Sequence, residues 1–184
     1  MIVPEALQRI AAKLNRAEIP YMLTGSFASV FYGSPRSTQD IDFVIAVNPE
    51  QLRAFLDNLP PGEYYVDADA ALEALKRESL FNMIDLKTSW KIDMIIRKSR
   101  AFSREEFARR RLSNLEGFSL HVASAEDVIL AKLEWAKLGQ SQRQIEDAAG
   151  ILKLQEDFLD RAYLDKWVRE LNVTQEWNDA QLCL

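Results

Sequence analysis

The chain has 184 residues, of which 48% are hydrophobic and 28% charged, and it carries a net charge of −5. This composition excludes a disordered chain, and the negative charge argues against a protein that coats duplex nucleic acid over a wide surface. A single cysteine, Cys183, excludes an internal disulfide and a cysteine-based metal site, and a single histidine, His121, argues against a zinc site or a Ser-His-Asp triad.

The sequence shows neither a pattern typical of a signal peptide nor one typical of a membrane-spanning segment. Its N-terminal segment lacks a basic head followed by an apolar run, and no stretch approaches 18 uninterrupted apolar residues. We therefore expect no signal peptide, no membrane span and no membrane partner. The presence of a single cysteine, which excludes an internal disulfide, indicates a reducing, cytoplasmic setting.

The first two thirds of the chain predicts a mixture of helices and strands. Apolar residues spaced three or four apart indicate amphipathic helices, and short β-rich runs between turn residues indicate strands. In chain order the expected elements are a helix over 4–16, a strand over 20–23, a short helix over 26–32 ended by Gly33, a loop over 33–39, a buried strand over 41–47, helices over 49–58 and 68–77, a hairpin of strands 80–86 and 90–96, a helix over 103–111 with Ser103 as its cap and Glu106 completing a capping box, and a strand over 118–123.

After Ser124 the pattern becomes helical, and helices are expected over about 125–138, 142–154, 160–171 and 174–182. The predicted fold class is therefore α/β (α+β), a mixed sheet flanked by helices with a helical C-terminal part. We expect two regions, an α/β core over residues 1–123 and a helical region over 124–184 packed on it.

Three aspartates on two predicted strands indicate a site for divalent cations. Asp40 and Asp42 are two apart in an extended segment, so alternation places both carboxylates on one side. Asp93 joins them if its strand is a neighbour, and Asp85 is a weaker competitor for that place. Three carboxylates so close repel each other unless one takes a proton or a cation binds, and all-oxygen ligands suit Mg²⁺ or Mn²⁺.

Gly25 and Ser26 stand at a predicted strand-to-helix junction. Glycine lets a phosphate approach the backbone, and the amides at a helix start attract anions. A simple helix cap is the alternative interpretation of this pair. Together with the three aspartates, the pair Gly25 and Ser26 completes the pattern expected for a site that binds a nucleoside triphosphate with its metal ion.

The segment GSFASVFYGSPRSTQDIDFVI, followed by KIDMI, resembles the DNA-polymerase-β-type nucleotidyltransferase superfamily, and within it the small AbiEii-like group. The tail KLEWAKLGQSQRQIEDAAGILKLQ also resembles that group, and the resemblance covers residues 20–155. It implies a nucleotidyltransferase-type fold and transfer of a nucleoside monophosphate from an NTP to a hydroxyl acceptor. Gly150 departs from the toxin-like pattern, which has a further aspartate there.

The resemblance also implies roles for single residues. Asp40, Asp42 and Asp93 would be catalytic and would hold the metal, with Asp93 helping to deprotonate the acceptor. Nucleotide-binding residues would be Gly25, Ser26, Arg36, Thr38 and Lys132. Asp147 matches a family-like polar position, although an ion pair with Arg143 is an equal alternative for it.

The acceptor stays open from the sequence, with RNA and protein as candidates. Residues 97–111 hold seven basic residues and two acidic ones, so this segment could contact a polyanion such as tRNA, against the alternative of a solvated surface. Two other functions stay open as well. One is a catalytically inactive, antitoxin-like binding protein of the same fold, and the other is an antibiotic-modifying nucleotidyltransferase.

Overall fold

The structure is a computed structural model that describes residues 4–33, 40–115 and 117–184. Helices flank a mixed sheet, which confirms the predicted α/β fold class. In chain order the elements are α1 (Glu5–Arg16), β1 (Tyr21–Thr24), α2 (Gly25–Phe31), β2 (Asp40–Ile45), α3 (Pro49–Asp57), β3 (Tyr64–Val66), α4 (Ala68–Lys76), β4 (Leu80–Asp85), β5 (Trp90–Ile96), α5 (Ala101–Ala108), β6 (Arg111–Leu115), β7 (Phe118–Val122), α6 (Ala125–Gly139), α7 (Gln142–Gln155), a 3₁₀ turn (Glu156–Phe158), α8 (Arg161–Glu170) and α9 (Thr174–Leu182).

The sheet places the strands of the candidate site at its centre. Seven strands of the described chain pair in the order β3-β4-β5-β2-β1-β7-β6. Strand β2 pairs in parallel with β5 and antiparallel with β1, while β1 and β7 are parallel. The hairpin predicted from the two β-rich runs is β4–β5, and β3 and β6 continue the sheet at either edge as antiparallel neighbours.

The structure corrects the prediction around residue 103. Helix α5 begins at Ala101 after Arg100, so Ser103 lies inside its first turn rather than at its cap. Ser103 is buried there and its hydroxyl accepts a hydrogen bond from Arg100 Nε at 3.0 Å. The helix ends at Ala108, and residues 111–115 pair with β7 instead of continuing it. Pairing with a neighbouring strand therefore ends the helix before the predicted residue 111.

The described chain separates into two compact units. The first contains the residues up to Thr24 and those from Asp40 to Val122, and it holds the whole sheet with α1, α3, α4 and α5. The second contains Gly25 to Gly33 and Ala123 to Leu184, so the short helix α2 groups with the C-terminal helices.

In the first unit, one face of the sheet is buried and anchors the strands. Ile41 and Phe43 of β2 and Met94 of β5 are fully buried, as is the apolar stripe of α1. Burying each such side chain contributes about 1.5–3 kcal/mol. Alternation along β2 and β5 then directs the intervening polar side chains to the opposite face, which positions the candidate site.

In the second unit, α6 is the central helix, and a buried polar network sets where it begins. Ser124 caps α6 by accepting the amide of Asp127 at 3.2 Å. The Asp127 carboxylate, 1% exposed, accepts hydrogen bonds from the Ser124 hydroxyl and from the Tyr163 hydroxyl of α8, each at 2.6 Å. These bonds satisfy a buried carboxylate and tie α8 to α6.

Within the described ranges, none of the helices combines the length and the apolar character that a membrane crossing needs.

Candidate active site

The alternation of β2 places Asp40 and Asp42 on one face of the sheet, as the sequence predicts. Ile41 and Phe43 are fully buried on the other face, whereas Asp40 is exposed and Asp42 half-buried. The packing of the two apolar residues fixes the rotation of the strand. The two carboxylates are therefore held on the open face without forming part of the core.

Strand β5 brings Asp93 to the same face. In the parallel pairing of β2 with β5, Asp93 is the register partner of Asp42 and Lys91 is the register partner of Asp40. Neighbouring strands lie about 4.8 Å apart, so Asp42 and Asp93 are next to each other across the ladder. The prediction required the two strands to be neighbours, and the structure makes them so.

Two side chains that the sequence analysis did not single out engage Asp93. Lys91 Nζ lies 2.9 Å from Oδ2 of Asp93, and Asn82 Nδ2 of β4 donates to Oδ1 at 2.5 Å. A local signal for Lys91 exists, because it stands two residues before Asp93 on a strand and so shares its face. Asn82 has no such signal, since only the register of β4 with β5 places it opposite Asp93.

The charge of the site acts on the ammonium of Lys91. Its pKa is raised above the ordinary lysine value, first by the hydrogen bond to Asp93, with burial opposing the shift and the charges of Asp93, Asp40 and Asp42 adding to it. The surrounding carboxylates therefore stabilise the positive charge of Lys91. This face attracts positive charge, which is the electrostatic condition for binding a divalent ion.

Asp85, the competitor for the role of Asp93, lies on the opposite face. It is fully buried, forms an ion pair with Arg9 of α1, and accepts the turn amides of Lys87 and Thr88 at 3.0 and 3.1 Å. Burial raises the pKa of Asp85, but the hydrogen bonds from Arg9 and Thr88 outweigh burial and leave it below its ordinary value. Asp85 closes the hairpin and docks α1, and it cannot join Asp42.

Gly25 and Ser26 begin α2 directly after β1. Thr24, the last residue of β1, is the register partner of Asp42. Gly25 has a φ of +64°, a left-handed conformation that glycine adopts without strain, and its carbonyl accepts the Ser29 hydroxyl at 3.1 Å. The predicted strand-to-helix junction is confirmed, while phosphate binding by these two residues stays a prediction.

Two of the predicted nucleotide-binding residues, Arg36 and Thr38, lie outside the described residues. Lys132 lies on α6 in the second unit and is 3% exposed. Its ammonium lies 2.8 Å from Asp147 Oδ2 of α7 and 3.4 Å from Gln144 Oε1. Lys132 on α6 therefore forms an ion pair with Asp147 on α7, and this ion pair stabilises the packing of the two helices.

The basic segment 97–111 covers α5 and the residues that flank it. The guanidinium of Arg110 lies 4.3 Å from the centre of the Phe107 ring, and that of Arg97 lies 5.6 Å from it. Burial, with a smaller contribution from the charge of Arg97, lowers the pKa of Arg110. Two like charges thus share one aromatic ring, and an anion beside them would relieve their repulsion.

The described residues contain no cluster of three or more acidic, histidine or cysteine side chains already gathered to hold a metal ion. The donor set nevertheless fits one. Asp42 and Asp93 offer carboxylate oxygens from adjacent strands, Asp40 lies on the same face, and the Lys91 ammonium is already held at Asp93. Hard divalent cations prefer such ligands.

Solved structures with a similar fold include a nucleotidyltransferase-like protein and an antibiotic-resistance factor. An antigenic nucleotidyltransferase-like protein from Paracoccidioides brasiliensis is 16% identical with a TM-score of 0.56, over 95% of this chain and 89% of that one. The antibiotic-resistance factor ANT(2″)-Ia, crystallised with adenylyl-2″-tobramycin, is 15% identical with a TM-score of 0.58, over 91% of this chain and 95% of that one. The chain has the nucleotidyltransferase fold. No protein-family profile and no curated protein sequence matches it.

In this fold, the open face of β2 and β5 carries the aspartate pattern that the sequence analysis associated with nucleotidyl transfer. The structure brings Asp42 and Asp93 together and adds Asn82 and Lys91 to them. It excludes Asp85 from the group.

Proposed function

We propose that this protein is a metal-dependent nucleotidyltransferase that moves a nucleoside monophosphate from an NTP to a hydroxyl acceptor. The observation that supports the proposal most is the register pairing of Asp42 with Asp93, with Asp40 on the same face, at the centre of a nucleotidyltransferase fold. A fold alone does not define an activity, so the proposal depends on these side chains.

In the proposed reaction, the acceptor oxygen forms a bond to the α-phosphorus of the NTP. The bond from that phosphorus to the oxygen bridging to the β-phosphorus breaks, and pyrophosphate leaves. Asp93 assists removal of the acceptor proton. Asp40, Asp42 and Asp93 hold Mg²⁺ or Mn²⁺, which when bound stabilises the charge on the attacking and leaving oxygens.

We assign nucleotide binding to five residues. Gly25 presents backbone amides at the start of α2, and Ser26 adds a hydroxyl donor. The other three, which the resemblance alone supports for this role, are Arg36, Thr38 and Lys132. For Lys132, binding a phosphate would require its ammonium to leave Asp147.

The acceptor that the surface favours is RNA, with the basic segment 97–111 as its contact. The pair of guanidinium groups over Phe107 supports this choice, because it concentrates positive charge on a protein of net charge −5. Membership of the AbiEii-like group belongs to the same proposal, and so does a cytoplasmic setting, which the single cysteine supports.

A second candidate function is modification of an antibiotic. The likeness to ANT(2″)-Ia over most of both chains favours it, as does the acidic balance, which suits a polycationic drug. Expression in a sensitive host separates the two candidates. A raised resistance to aminoglycosides supports this one, and unchanged resistance with labelled RNA product supports the first. The third reading, an inactive, antitoxin-like binding protein, predicts no transfer to any acceptor.

The activity test uses radiolabelled NTPs, Mg²⁺ or Mn²⁺, and total RNA, tRNA or aminoglycosides as acceptors. We expect label in an acceptor and release of pyrophosphate. The double variant Asp40→Ala with Asp42→Ala should abolish both. Asp57→Ala with Asp69→Ala removes the same charge from exposed positions on α3 and α4 and should leave transfer unchanged. Nucleotide transfer by the double variant Asp40→Ala with Asp42→Ala refutes the proposal.

A further inference from the structure

Lys91 lies beside the aspartates to which the proposed function assigns the metal ion. It stands on β5 two residues before Asp93, on the same face, and it is the register partner of Asp40. Its Nζ is 2.9 Å from one oxygen of Asp93, and Asn82 holds the other oxygen. Both oxygens of the Asp93 carboxylate are therefore engaged by donors of the chain itself.

The Lys91 contact differs from an ordinary surface ion pair in the charge that surrounds it. The Asp93 side chain is only 14% exposed, while Lys91 is 47% exposed and has a long, flexible arm. Lys91 is the register partner of Asp40, and Asp42 lies on the same face of the neighbouring strand. Lys91 thus offsets the repulsion among three carboxylates, and its exposure gives it room to leave.

We propose that Lys91 is an internal counter-ion of the aspartate cluster, and that a divalent cation binds at Asp42 and Asp93 by displacing the Lys91 ammonium from Asp93. Two cations cannot share one carboxylate oxygen without strong repulsion. The Lys91 ammonium and the metal ion therefore compete for the Asp93 carboxylate. The inference rests on the metal-binding part of the proposed function.

One consequence is that removal of this charge makes metal binding tighter. The variant Lys91→Gln keeps the length of the arm and removes its charge. Lys91→Arg keeps the charge and serves as the second variant. Lys87→Gln is the matched control, because Lys87 lies in the turn of the same hairpin and pairs with Glu5 at 2.7 Å instead of with the aspartates.

The experiment is a titration of the full chain with Mn²⁺, followed by calorimetry and by electron paramagnetic resonance of the free ion. We expect Lys91→Gln to bind Mn²⁺ roughly three- to tenfold tighter than the wild type, which is the size of one partly exposed charge contact. Lys87→Gln and Lys91→Arg should stay within about twofold of the wild type. Circular dichroism confirms that each variant is folded.

A second readout follows the folded state. Without metal, Lys91→Gln should melt at a lower temperature than Lys87→Gln, because Asp93 has lost the ammonium that pairs with it beside two other carboxylates. Mn²⁺ should raise its melting temperature by more than it raises that of the wild type. Equal or weaker Mn²⁺ binding by Lys91→Gln overturns the inference, as does a lack of binding by every protein.

The outcomes separate this inference from the proposed function. Tighter Mn²⁺ binding by Lys91→Gln, together with a wild type that transfers no nucleotide, supports the counter-ion and ends the proposed activity. Nucleotide transfer by the wild type, together with unchanged Mn²⁺ affinity in Lys91→Gln, ends the counter-ion and leaves the activity in place.

Discussion

Asp85 and Asp93 belong to the same hairpin, yet they lie on opposite faces of the sheet and have partners of different kinds. Asp85 is fully buried against α1, and its partners are Arg9 and two turn amides. Asp93 faces the open side, and its partners are Lys91 and Asn82. The exposed ammonium of Lys91 can be withdrawn, whereas the partners of Asp85 are part of the fold.

The difference shows how one residue type serves stability on one face and chemistry on the other. A carboxylate that is buried with fixed partners contributes to folding and is closed to ligands. A carboxylate whose partner is an exposed side chain can exchange that partner for a metal ion. The face of the strand, rather than the residue type, decides between the two.

The largest expected effect is on activity, in Asp93→Asn. This variant keeps the shape of the side chain and removes the charge that holds metal and assists removal of the acceptor proton. We expect the rate of nucleotide transfer to fall by about a thousandfold, the equivalent of several kcal/mol of lost transition-state stabilisation. Rate measurements at saturating NTP check this. A variant that retains a tenth of the wild-type rate would remove Asp93 from the catalytic site.

The reverse pattern is expected for Asp85→Asn. Arg9, whose side chain is 22% exposed, would lose its buried carboxylate partner and keep only the exposed carboxylate of Glu5. We expect the free energy of unfolding to fall by about 3 kcal/mol, with transfer by the folded protein little changed. Urea denaturation measures the loss. Glu5→Gln is the control, since it removes the exposed partner of Arg9, and equal stability of the two variants would contradict the comparison.

A smaller effect is expected on the pH dependence of stability. The pKa of Asp85 is lower in the folded protein than its usual value of about 3.9, so the folded state favours the ionised form. Its contribution is complete above that usual value and is lost as the pH falls through the lowered pKa. The stability difference between the wild type and Asp85→Asn should therefore shrink in melting curves taken from pH 6 down to pH 3. A stability difference that stays constant over this pH range would show that ionisation of the Asp85 carboxylate is not its cause.

The smallest expected effect comes from Asn82→Ala. Its amide orients one oxygen of Asp93, and Asn82 is itself exposed, so the loss should be modest. We expect a roughly threefold to tenfold decrease in transfer rate with unchanged stability, the size of one ordinary, solvent-exposed hydrogen bond. Asn114→Ala on β6 removes an exposed amide contact to Ser119 and the hydrogen bond that Asn114 accepts from the Gly117 amide, and it should leave the transfer rate unchanged. Equal rates for the two variants would show that Asn82 does not position Asp93.

Much of the fold could be predicted because its signals are local. Helix α3 begins where Asn48 and Gln51 form a capping box, and α8 begins where Asp160 accepts the amide of Tyr163. Side chains that cap a helix lie within one turn of its start, so the sequence contains them. The four C-terminal helices were predicted within a few residues of their observed bounds.

The two edge strands could not be predicted in the same way. Strand β3 has only three residues, and β6 is largely polar, so neither shows a clear alternation of apolar and polar residues. Each forms because a neighbour offers unpaired backbone groups. Whether a neighbour with unpaired backbone groups is present depends on the rest of the sheet. For the same reason α5 ends before the predicted residue 111, because the residues that follow the helix pair with β7.

By itself, the sequence determined that Asp40 and Asp42 share one face, because side chains alternate along any strand. Only the tertiary structure decided that Asp93 stands beside Asp42, that Lys91 and Asn82 engage it, and that Asp85 is turned towards Arg9. These contacts depend on the order and register of strands that are distant along the chain. Register is set by the packing of the whole buried face, and no local segment contains that information.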